Sequence, residues 1–593
     1  MEYPTLNVKP KSRQMADAFL GYNHNLRIGD NEFYDMKNMT SDHYPVLSPR
    51  KQRGVYASPN SPGGLIAKDA LCYVDGSDFV MNQYRCDMRL SNGPKQLVSM
   101  GAYVIILPDK KYFNTQKMAH GNIEAHVTTS GTVTFELCTA DGGAYENAKV
   151  QPVAPTNPSN MDLWIDNSST PHTLKQYSSA SAVWVNIAST YVKITAVGSN
   201  IGKIFNQYDG VTISGITRSA LKDLNSTTTI WSGEEDSIVV PGIIDEVTTQ
   251  TTPICISRWM PNFDFLIESK NRLWGCCYGF PYQGKRYNTE TGITEDVYGT
   301  EAVNEIYACK LGDFMNWNSF MGLASDSYAV SVGTDGQFTG AITHLGFPCF
   351  FKESVLHKVY GDYPSNYRVQ DTACRGVQKG CERSLAIVNE VLFYKARSGV
   401  CAYDGSLPGE VSYQFGNELY SKAVGGSHRN KYYICMMDTE GEYHLFVYDT
   451  ANGMWHKEDD LKAECFCTCD DELYVIADGK ILAMLGSGMK EEDPVEWMVQ
   501  TGEIGLSSPD MKYISRMNVR MSMAIGATAE FYIQYDLNDK WNHICTMTGT
   551  SLRSFSVPIR PKRCDHMRMK IVGKGDAKIY SITKTIEQGS EHS

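Results

Sequence analysis

The chain has 593 residues, of which 42% are hydrophobic and 21% are charged. This length exceeds one ordinary domain and is enough to bury a large core without disulfides. The apolar content excludes collagen, a coiled coil and wholesale disorder. The net charge of −12 argues against a general nucleic-acid coat, which should be basic.

The charge is unevenly distributed along the chain. From Lys512 to Ser593 there are 13 Lys and Arg against 7 Asp and Glu, so this part carries +6 and the first 511 residues carry −18. The segment Met1–Ser12 has no apolar stretch, which predicts no signal peptide. The longest apolar stretches, such as Ala102–Leu107, are too short for a membrane helix. The 17 Cys lack framework spacing, which predicts free thiols in a reducing cytoplasm.

β-Rich runs separated by short polar turns recur along the chain and predict hairpins. In chain order they are Ala70–Val80, Ala102–Phe113, Phe263–Cys277 with Glu305–Cys309, Phe347–Tyr360, Glu390–Gly405, Lys431–Asp449 and Glu472–Leu485. The last four begin 43, 41 and 41 residues apart. A period in the low forties with about four strands per unit is typical of β-propeller blades. We predict a propeller of six to eight blades; a sandwich of hairpins is the alternative.

A different pattern interrupts these units at about 118–250. It follows a linker rich in Pro and Asn at 155–160 and contains short β runs such as Leu163–Asp166 and Val183–Val185. We predict a small β module inserted into a propeller loop. Trp164, Tyr177 and Trp184 are expected to pack in its core, and stacking on sugars is their alternative role.

After about Gly486 the recurrence stops and alternating strands follow. Alternation puts Phe531, Ile533 and Tyr535 on one face of Ala529–Tyr535. We predict a C-terminal β-sandwich. The predicted fold is therefore all-β in four parts: 1–117 with the N-terminal segment and first blades, 118–250 with the insertion, 251–486 with the remaining blades, and 487–593 with the sandwich.

The cysteine strings have a structural explanation. Cys465, Cys467 and Cys469 alternate along one strand, where successive residues of a face lie about 6.5 Å apart. Zinc needs its sulfurs about 2.3 Å from one ion, usually from C-x₂₋₄-C turns. We therefore predict a packed strand face there, and packing also for Cys276 and Cys277.

Catalytic patterns are equally weak in this sequence. Asp404, Asp449 and Asp536 each follow a Tyr at a strand end, which favours a turn role over a glycosidase pair. The sequence contains no G-x-S-x-G elbow, phosphate loop or calcium loop. We predict no catalytic, cofactor-binding or metal-binding residue, no cofactor and no enzymatic activity; a propeller glycosidase is the enzymatic alternative.

A basic stretch at Arg560–Lys570 is the remaining candidate surface. Alternation predicts that Met567, Met569 and Ile571 point inward and that Arg568 and Lys570 point outward. We interpret it as a solvated sheet face. An interface with an acidic neighbour, or a wall near passing DNA, is the alternative.

Several short motifs carry a resemblance to a known family. The N-terminal segment contains Gly21–Asn25, Glu32–Met39 and Tyr44–Gly54. It resembles the opening of bacteriophage tail proteins of the nozzle type (tail tubular protein B, or stabilization protein), with Asn38 and Pro45–Gly54 in the matching places. The middle of the chain is similar to the same family at Asn271–Gly275, Ile306-Tyr307, Gly312–Phe314, Asn316-Trp317, Phe351-Lys352, Gly361, Gly376-Val377, Gly399-Val400 and Tyr403–Gly405. The resemblance departs at 118–250 and in the C-terminal part.

This resemblance implies a structural virion protein of the tail, made in the cytoplasm of the host bacterium. Such proteins form a homo-oligomeric ring, commonly a hexamer, that docks to portal or adaptor and tail-fibre proteins and lets DNA pass during ejection. The charge of −18 predicts an acidic pore lining that repels DNA in transit. No membrane-spanning segment is expected. A receptor- or glycan-binding tail protein is the second class of function.

Overall fold

The structure, a computed structural model, describes residues 11–288, 293–488, 490–506, 509–536, 538 and 540–588, with the backbone alone for 280–288, 293–302 and 490. The prediction for Met1–Ser12 lies almost entirely outside these residues. The all-β prediction is confirmed, because the described residues form 51 strands and very little helix. Their helical segments are the α-helix Ile201–Ile204 and the 3₁₀ turns Ser219–Leu224, Pro364–Asn366, Glu382–Ser384 and Tyr413–Phe415.

Seven antiparallel meanders, numbered 1 to 7 here, form most of the body; the first six have four strands each and the seventh has five. Meanders 1 to 3 are Pro62–Ala67, Leu71–Asp75, Asp78–Met81, Tyr84–Asp87; Gln96–Met100, Tyr103–Leu107, Lys111–Asn114, Ala119–Asn122; and Phe265–Ser269, Arg272–Asn288, Ile293–Ala308, Tyr328–Ser331. Meanders 4 to 6 are Gly340–His344, Phe347–Phe351, Val355–Tyr360, Arg368–Ala373; Ala386–Val388, Val391–Lys395, Val400–Tyr403, Gly409–Glu410; and Ser421–His428, Lys431–Met437, Tyr443–Asp449, Met454–Lys457. Meander 7 is Ala463–Cys469, Glu472–Ala477, Lys480–Ala483 and Gly54–Ala57, with Lys490–Glu491 beside the last strand. Six of the predicted hairpin runs match the two middle strands of one meander, whereas Phe263–Cys277 with Glu305–Cys309 covers the first strand of meander 3 and parts of its second and third strands.

The same local chemistry starts most of these meanders. In meanders 2 to 7 a two-residue turn joins the first strand to the second. Each turn holds a residue with positive φ, such as Gly101 (φ 56°) or Asn271 (φ 59°). Turns of this kind match the right-handed twist of the strands they connect, which explains why short polar turns here produce hairpins.

The first strands of the meanders contact one another in cyclic order. Contacts run from meander 1 to 2, 3 and 4, and then to the 3₁₀ turn Glu382–Ser384 that precedes meander 5. They continue from meander 5 to 6 and 7 and return to meander 1. Gly54–Ala57 completes meander 7 although it precedes meander 1 in sequence. The N-terminal segment, predicted to belong with the first blades, thus also supplies a strand to the last sheet.

The insertion folds as three sheets between meanders 2 and 3. The first contains Ala125–Thr128, Cys255–Arg258, Gly210–Ser214 and Thr227–Thr229; the second Ser232–Glu234, Ser237–Pro241, Tyr191–Ala196, Val133–Cys138 and Thr248–Gln250; the third Lys149–Gln151, Leu163–Asp166, Thr173–Ser178 and Val183–Asn186. Ala125–Thr128 pairs with Cys255–Arg258, so the chain enters and leaves the insertion at one place. A separate hydrophobic core that includes Phe135, Ile194 and Phe205 fills it.

The C-terminal strands do not form the predicted sandwich of two sheets. They form one seven-stranded sheet of Lys11–Ala16, Ala577–Gln588, Lys512–Tyr535, Met567–Lys574, Glu496–Thr501 and Phe33–Lys37, with Asn542–Val557 on the outer side of Lys512–Tyr535. The reason is the 24-residue length of the central strand. Its first half pairs with Ala577–Gln588 and its second half with Met567–Lys574. Two N-terminal strands complete this sheet, and Met39–Thr40 pairs with Ser48–Pro49 nearby.

No helix in the described ranges is long and apolar enough to cross a membrane. The C-terminal sheet and meanders 4 to 6 share the largest hydrophobic cluster, in which Trp455 and Trp497 are buried. Met567, Met569 and Ile571 are buried in it, as alternation predicted. The body and the C-terminal sheet are therefore packed against each other through one core.

Burial of His456 makes the stability of this core depend on pH. Burial, with a smaller contribution from the Lys431 charge, lowers the pKa of His456 from 6.5 to about 3. The unfolded chain therefore binds a proton below pH 6.5 that the folded chain does not bind, so stability falls as the pH falls. We expect the free energy of unfolding to fall by about 2 kcal/mol between pH 7 and pH 5 because of His456.

The measurement is urea unfolding of the native chain and of His456→Gln at both pH values. The variant is expected to lose about 2 kcal/mol less than the native chain over this interval. Equal losses in the two proteins would show that His456 is not the titrating group.

Candidate functional site

A central cavity of about 420 Å³ lies where the first strands of the meanders meet. Residues from all seven meanders or their immediate flanks line it, including Leu65, Gln96, Phe265, Ala341, Leu385, Val424 and Cys465. A single cavity bordered by the first strand, or the residues next to it, of every meander is what radial sheets around one axis would leave. Concave sites of this kind are where proteins most often bind small ligands.

Most charged groups that line this cavity form ion pairs or hydrogen bonds with other residues of the chain. Lys95 is almost fully buried and binds Asp109 at 2.6 Å. Arg383 donates a hydrogen bond to the carbonyl oxygen of Glu464 at 2.7 Å. The two carboxylates of the lining are Asp264 and Glu382. Burial raises the pKa of Asp264, which accepts a hydrogen bond from the backbone N–H of Tyr278 at 2.9 Å.

A glycosidase needs two carboxylates whose pKa values are held apart on either side of one bond. Within this lining, burial raises the pKa of Asp264, and the hydrogen bond that its carboxylate accepts comes from the backbone N–H of Tyr278. The prediction of a non-enzymatic protein therefore stays a prediction, with the propeller glycosidase as its alternative.

The N-terminal residues that carry the resemblance meet in a buried ionic cluster. Arg53 contacts Glu458 at 2.8 Å and Asp459 at 2.7 Å, and Arg50 also contacts Asp459. Arg50 further pairs with Glu492. Burial alone would raise the pKa of Asp459, but the charge and hydrogen bonds of Arg53 hold it below its ordinary value. We call Arg50, Arg53, Glu458, Asp459 and Glu492 the arginine cluster.

The arginine cluster joins three distant parts of the chain. Asn38 extends it, because it has a left-handed backbone (φ 55°), accepts a hydrogen bond from Nε of Arg50 at 2.8 Å and donates one to the carbonyl oxygen of Glu496. The N-terminal segment is thus fixed both to the end of meander 6 and to the start of the C-terminal sheet. Sequence reasoning identified Asn38 and the Pro45–Gly54 run but did not predict these partners.

Two further residues of the resemblance organise the region around meander 3. Arg272 is buried and donates hydrogen bonds to the carbonyl oxygens of Cys309, Ala324 and Asp326 at 2.6–2.8 Å. Asn316 donates to Asp209 at 2.9 Å and accepts from the N–H of Gly210 at 2.8 Å. These contacts give Arg272 a role in fixing the loop after Ala308 and Asn316 a role in holding the insertion.

The other sequence candidates occupy structural positions. Cys465, Cys467 and Cys469 pack against a cluster with Leu65 and Ile476, and Cys276 and Cys277 are buried. Among the described residues no three His, Cys, Asp or Glu side chains are arranged to hold a metal ion.

Asp404 and Asp449 act in turns, whereas Asp536 braces a distant loop. Asp404 accepts from the N–H of Ser406 at 3.0 Å, Asp449 from that of Ala451 at 3.0 Å, and Asp536 from that of Asp565 at 2.7 Å. The bonds to Asp404 and Asp449 are local ones of the kind that aspartate makes in turns. The bond to Asp536 connects two loops that are distant in sequence.

The basic stretch is engaged within the chain. Arg568 binds Glu503 at 2.9 Å and lies over the ring of Tyr34, and the ammonium of Lys570 lies 4.3 Å from the ring centroid of Trp541. Both outward cations therefore have intramolecular partners, which weakens their interpretation as a wall for DNA.

The aromatic residues of the insertion follow the expected core packing only in part. Ile165 and Leu174, on one face of the third insertion sheet, belong to the buried core. Trp164, Tyr177 and Trp184 lie on the opposite face, where strand alternation directs them. Trp164 is buried beneath its neighbours, whereas Tyr177 and Trp184 are half-buried.

Comparisons with known proteins do not assign a family. No family model matches the chain, and no curated protein matches it. Among solved structures, similar chains include PorZ, a surface component of the type-IX secretion system of Porphyromonas gingivalis, with 10% identity, coverage of 91% of this chain and 82% of that chain, and a TM-score of 0.24. An exo-β-1,3-galactanase from Phanerochaete chrysosporium matches with 7% identity, coverage of 83% and 95%, and a TM-score of 0.16. A Bacillus thuringiensis Cry1Da tryptic core variant matches with 9% identity, coverage of 54% and 52%, and a TM-score of 0.12. Likenesses this low carry no argument about function.

Proposed function

We propose that this protein is a structural subunit of a bacteriophage tail, a nozzle or hub built on a seven-bladed β-propeller. The cyclic contacts of the seven meanders and the cavity between their first strands support the propeller. The arginine cluster supports the family resemblance, because Asn38, Arg50 and Arg53 of the matching segment have a joint structural role.

The observation that carries the proposal is a long hairpin in meander 3. Arg272–Asn288 and Ile293–Ala308 have 17 and 16 residues, whereas no other described meander strand exceeds eight. Ten residue pairs, from Gly279↔Ala302 to Asn288↔Ile293, lie beyond the bulge at Cys277. They extend the hairpin by about 30 Å. We call residues 279–288 and 293–302 the arm.

An isolated two-stranded hairpin is marginally stable in water, so an arm of this length is best explained by a surface that receives it. Subunits of a ring contact their neighbours through two different surfaces, and an arm reaching the next copy is such a contact. The strand Asn542–Val557 offers a second contact. Within the described residues it pairs only with Lys512–Tyr535, and most of its residues are exposed or half-buried. An open edge of this kind pairs readily with another chain.

In this proposal the copies close into a ring, hexameric by analogy with the nozzle family, that docks to adaptor and tail-fibre proteins in the virion. DNA would pass through the ring during ejection, and the acidic first 511 residues would keep it from binding. The function follows from assembly and requires no catalytic residue.

Shortening the arm tests the proposal. Replacing residues 280–301 by an Asn-Gly turn keeps the part of the hairpin that lies within meander 3. We expect the native chain to form closed rings in negative-stain images at high concentration, with the matching mass in light scattering. The shortened chain is expected to remain at lower mass because its contact with the next copy is missing.

The thermal unfolding midpoint provides the control, since it should be unchanged if the shortened chain folds. Equal masses of the two folded proteins at every concentration would contradict an assembly role for the arm.

A further inference from the structure

The third insertion sheet has two chemically different faces. One face contributes Ile165 and Leu174 to the core of the insertion. On the other face, Trp164 lies opposite Lys175, Lys175 opposite Asn186, and Tyr177 opposite Trp184. We call Trp164, Lys175, Tyr177, Trp184 and Asn186 the aromatic face.

The rings of the aromatic face are held in a fixed arrangement. Trp164 and Trp184 have ring centroids 5.4 Å apart at an interplanar angle of 70°, and Tyr177 and Trp184 have centroids 5.3 Å apart. The indole N–H of Trp164 donates to the carbonyl oxygen of Gln151 at 2.8 Å. The Lys175 ammonium lies 4.6 Å from the Trp164 centroid, and Trp164 is buried. The partly exposed Trp184 and Tyr177 therefore form the accessible surface.

Polar groups lie beside these rings. Lys175 binds the carboxylate of Asp166 at 2.8 Å, which orients both side chains on the aromatic face. Asn186 is exposed on the outermost strand. Two fixed aromatic rings next to an amide, a carboxylate and an ammonium are suited to a ligand with apolar C–H faces and many hydroxyl groups.

We propose that the aromatic face binds neutral carbohydrate, with a pyranose ring stacked on Trp184 and Tyr177. The C–H groups of the sugar would face the electron-rich rings, and its hydroxyls would exchange hydrogen bonds with Asn186 and the Lys175–Asp166 pair. This activity is separate from ring formation and does not depend on the proposed tail role.

Charge favours a neutral sugar over a nucleic acid. Bases also stack on aromatic side chains, but single-stranded DNA needs a positively charged groove along its backbone. Residues 125–258 contain seven Lys and Arg against twelve Asp and Glu, a net charge of −5. In addition, the ammonium of Lys175 is already paired with Asp166.

The test applies the full-length native chain, Trp184→Ala and Tyr177→Ala to an array of neutral hexose and N-acetylhexosamine oligosaccharides. We expect the native chain to bind a subset and each variant to bind that subset about tenfold or more weakly. Trp259→Ala is the matched control, because Trp259 is 51% exposed and lies outside the aromatic face. It should bind like the native chain.

Near-UV circular dichroism and the thermal midpoint separate loss of binding from loss of folding. If one of the two variants does not fold, the other still provides the test. No binding to the array by the folded native chain would overturn the proposal, as would equal weakening by Trp259→Ala. Binding of an oligothymidylate probe in place of the sugars would overturn it in favour of nucleic acid. Ring formation, measured on the same samples, should be unchanged in Trp184→Ala, so failure of this proposal is distinguishable from failure of the tail role.

Discussion

Arg53→Ala is expected to destabilise the protein by about 3–5 kcal/mol, because it leaves buried carboxylates without their main partner. Arg53 is 5% exposed and makes its contacts at 2.7 and 2.8 Å with Asp459 and Glu458. After its removal Arg50 is, among the described residues, the remaining cation in contact with these two carboxylates. The measurement is the free energy of unfolding in urea at pH 7.

The loss should also loosen meander 7. Arg53 directly precedes Gly54–Ala57, the strand that completes that sheet from the N-terminal side. Hydrogen exchange is therefore expected to rise first in Gly54–Ala57 and Lys480–Ala483.

Arg429→Ala is the matched control for Arg53→Ala. Arg429 also pairs with an aspartate, Asp471, but both side chains are largely exposed. Exposed ion pairs contribute little to stability, so this variant should unfold like the native chain. Equal effects of the two substitutions would show that burial of the arginine cluster does not matter for stability.

Asp209→Ala is expected to release the insertion from the body. It should destabilise the contacts at the junction by about 3–5 kcal/mol. Asp209 is 3% exposed, and its carboxylate binds Arg258 at 2.5 Å and accepts from Asn316 at 2.9 Å. The substitution leaves the guanidinium of Arg258 buried without its charge partner. Limited proteolysis should then cut near 123–130 and 250–260 well before it cuts the meanders.

Glu235→Ala tests whether any lost ion pair in the insertion has this effect. Glu235 pairs with Lys203, and both side chains are more than half exposed. We expect its cleavage pattern to match that of the native chain. Early cleavage at the junction in this variant, or none in Asp209→Ala, would contradict the role assigned to Asp209.

The sequence predicted some residues of the candidate sites but not their partners or their burial. The segment with Asn38 and Pro45–Gly54 was recognisable, but its carboxylate partners lie more than 400 residues away, at Glu458, Asp459 and Glu492. The aromatic residues of the insertion were identified as well; Trp164 is buried as expected, whereas Tyr177 and Trp184 are only half-buried. Which face of a sheet meets the core depends on the neighbouring sheets, and residue type alone does not decide it.

The sequence by itself determined the local structure of this protein. Short polar turns between β-rich runs predicted the middle strands of the meanders, and alternation predicted the inward side chains of Met567, Met569 and Ile571. These features depend on residues a few positions apart, which a local pattern contains.

Only the tertiary structure decided how distant segments combine. Lys11–Ala16 and Phe33–Lys37 join the C-terminal sheet, and Gly54–Ala57 completes the last meander. The long strand Lys512–Tyr535 merges the predicted sandwich into one sheet by pairing with different neighbours along its length. The physical reason is that strands pair through backbone hydrogen bonds, which nearly every residue can form. The sequence of one strand therefore does not specify which other strand it pairs with.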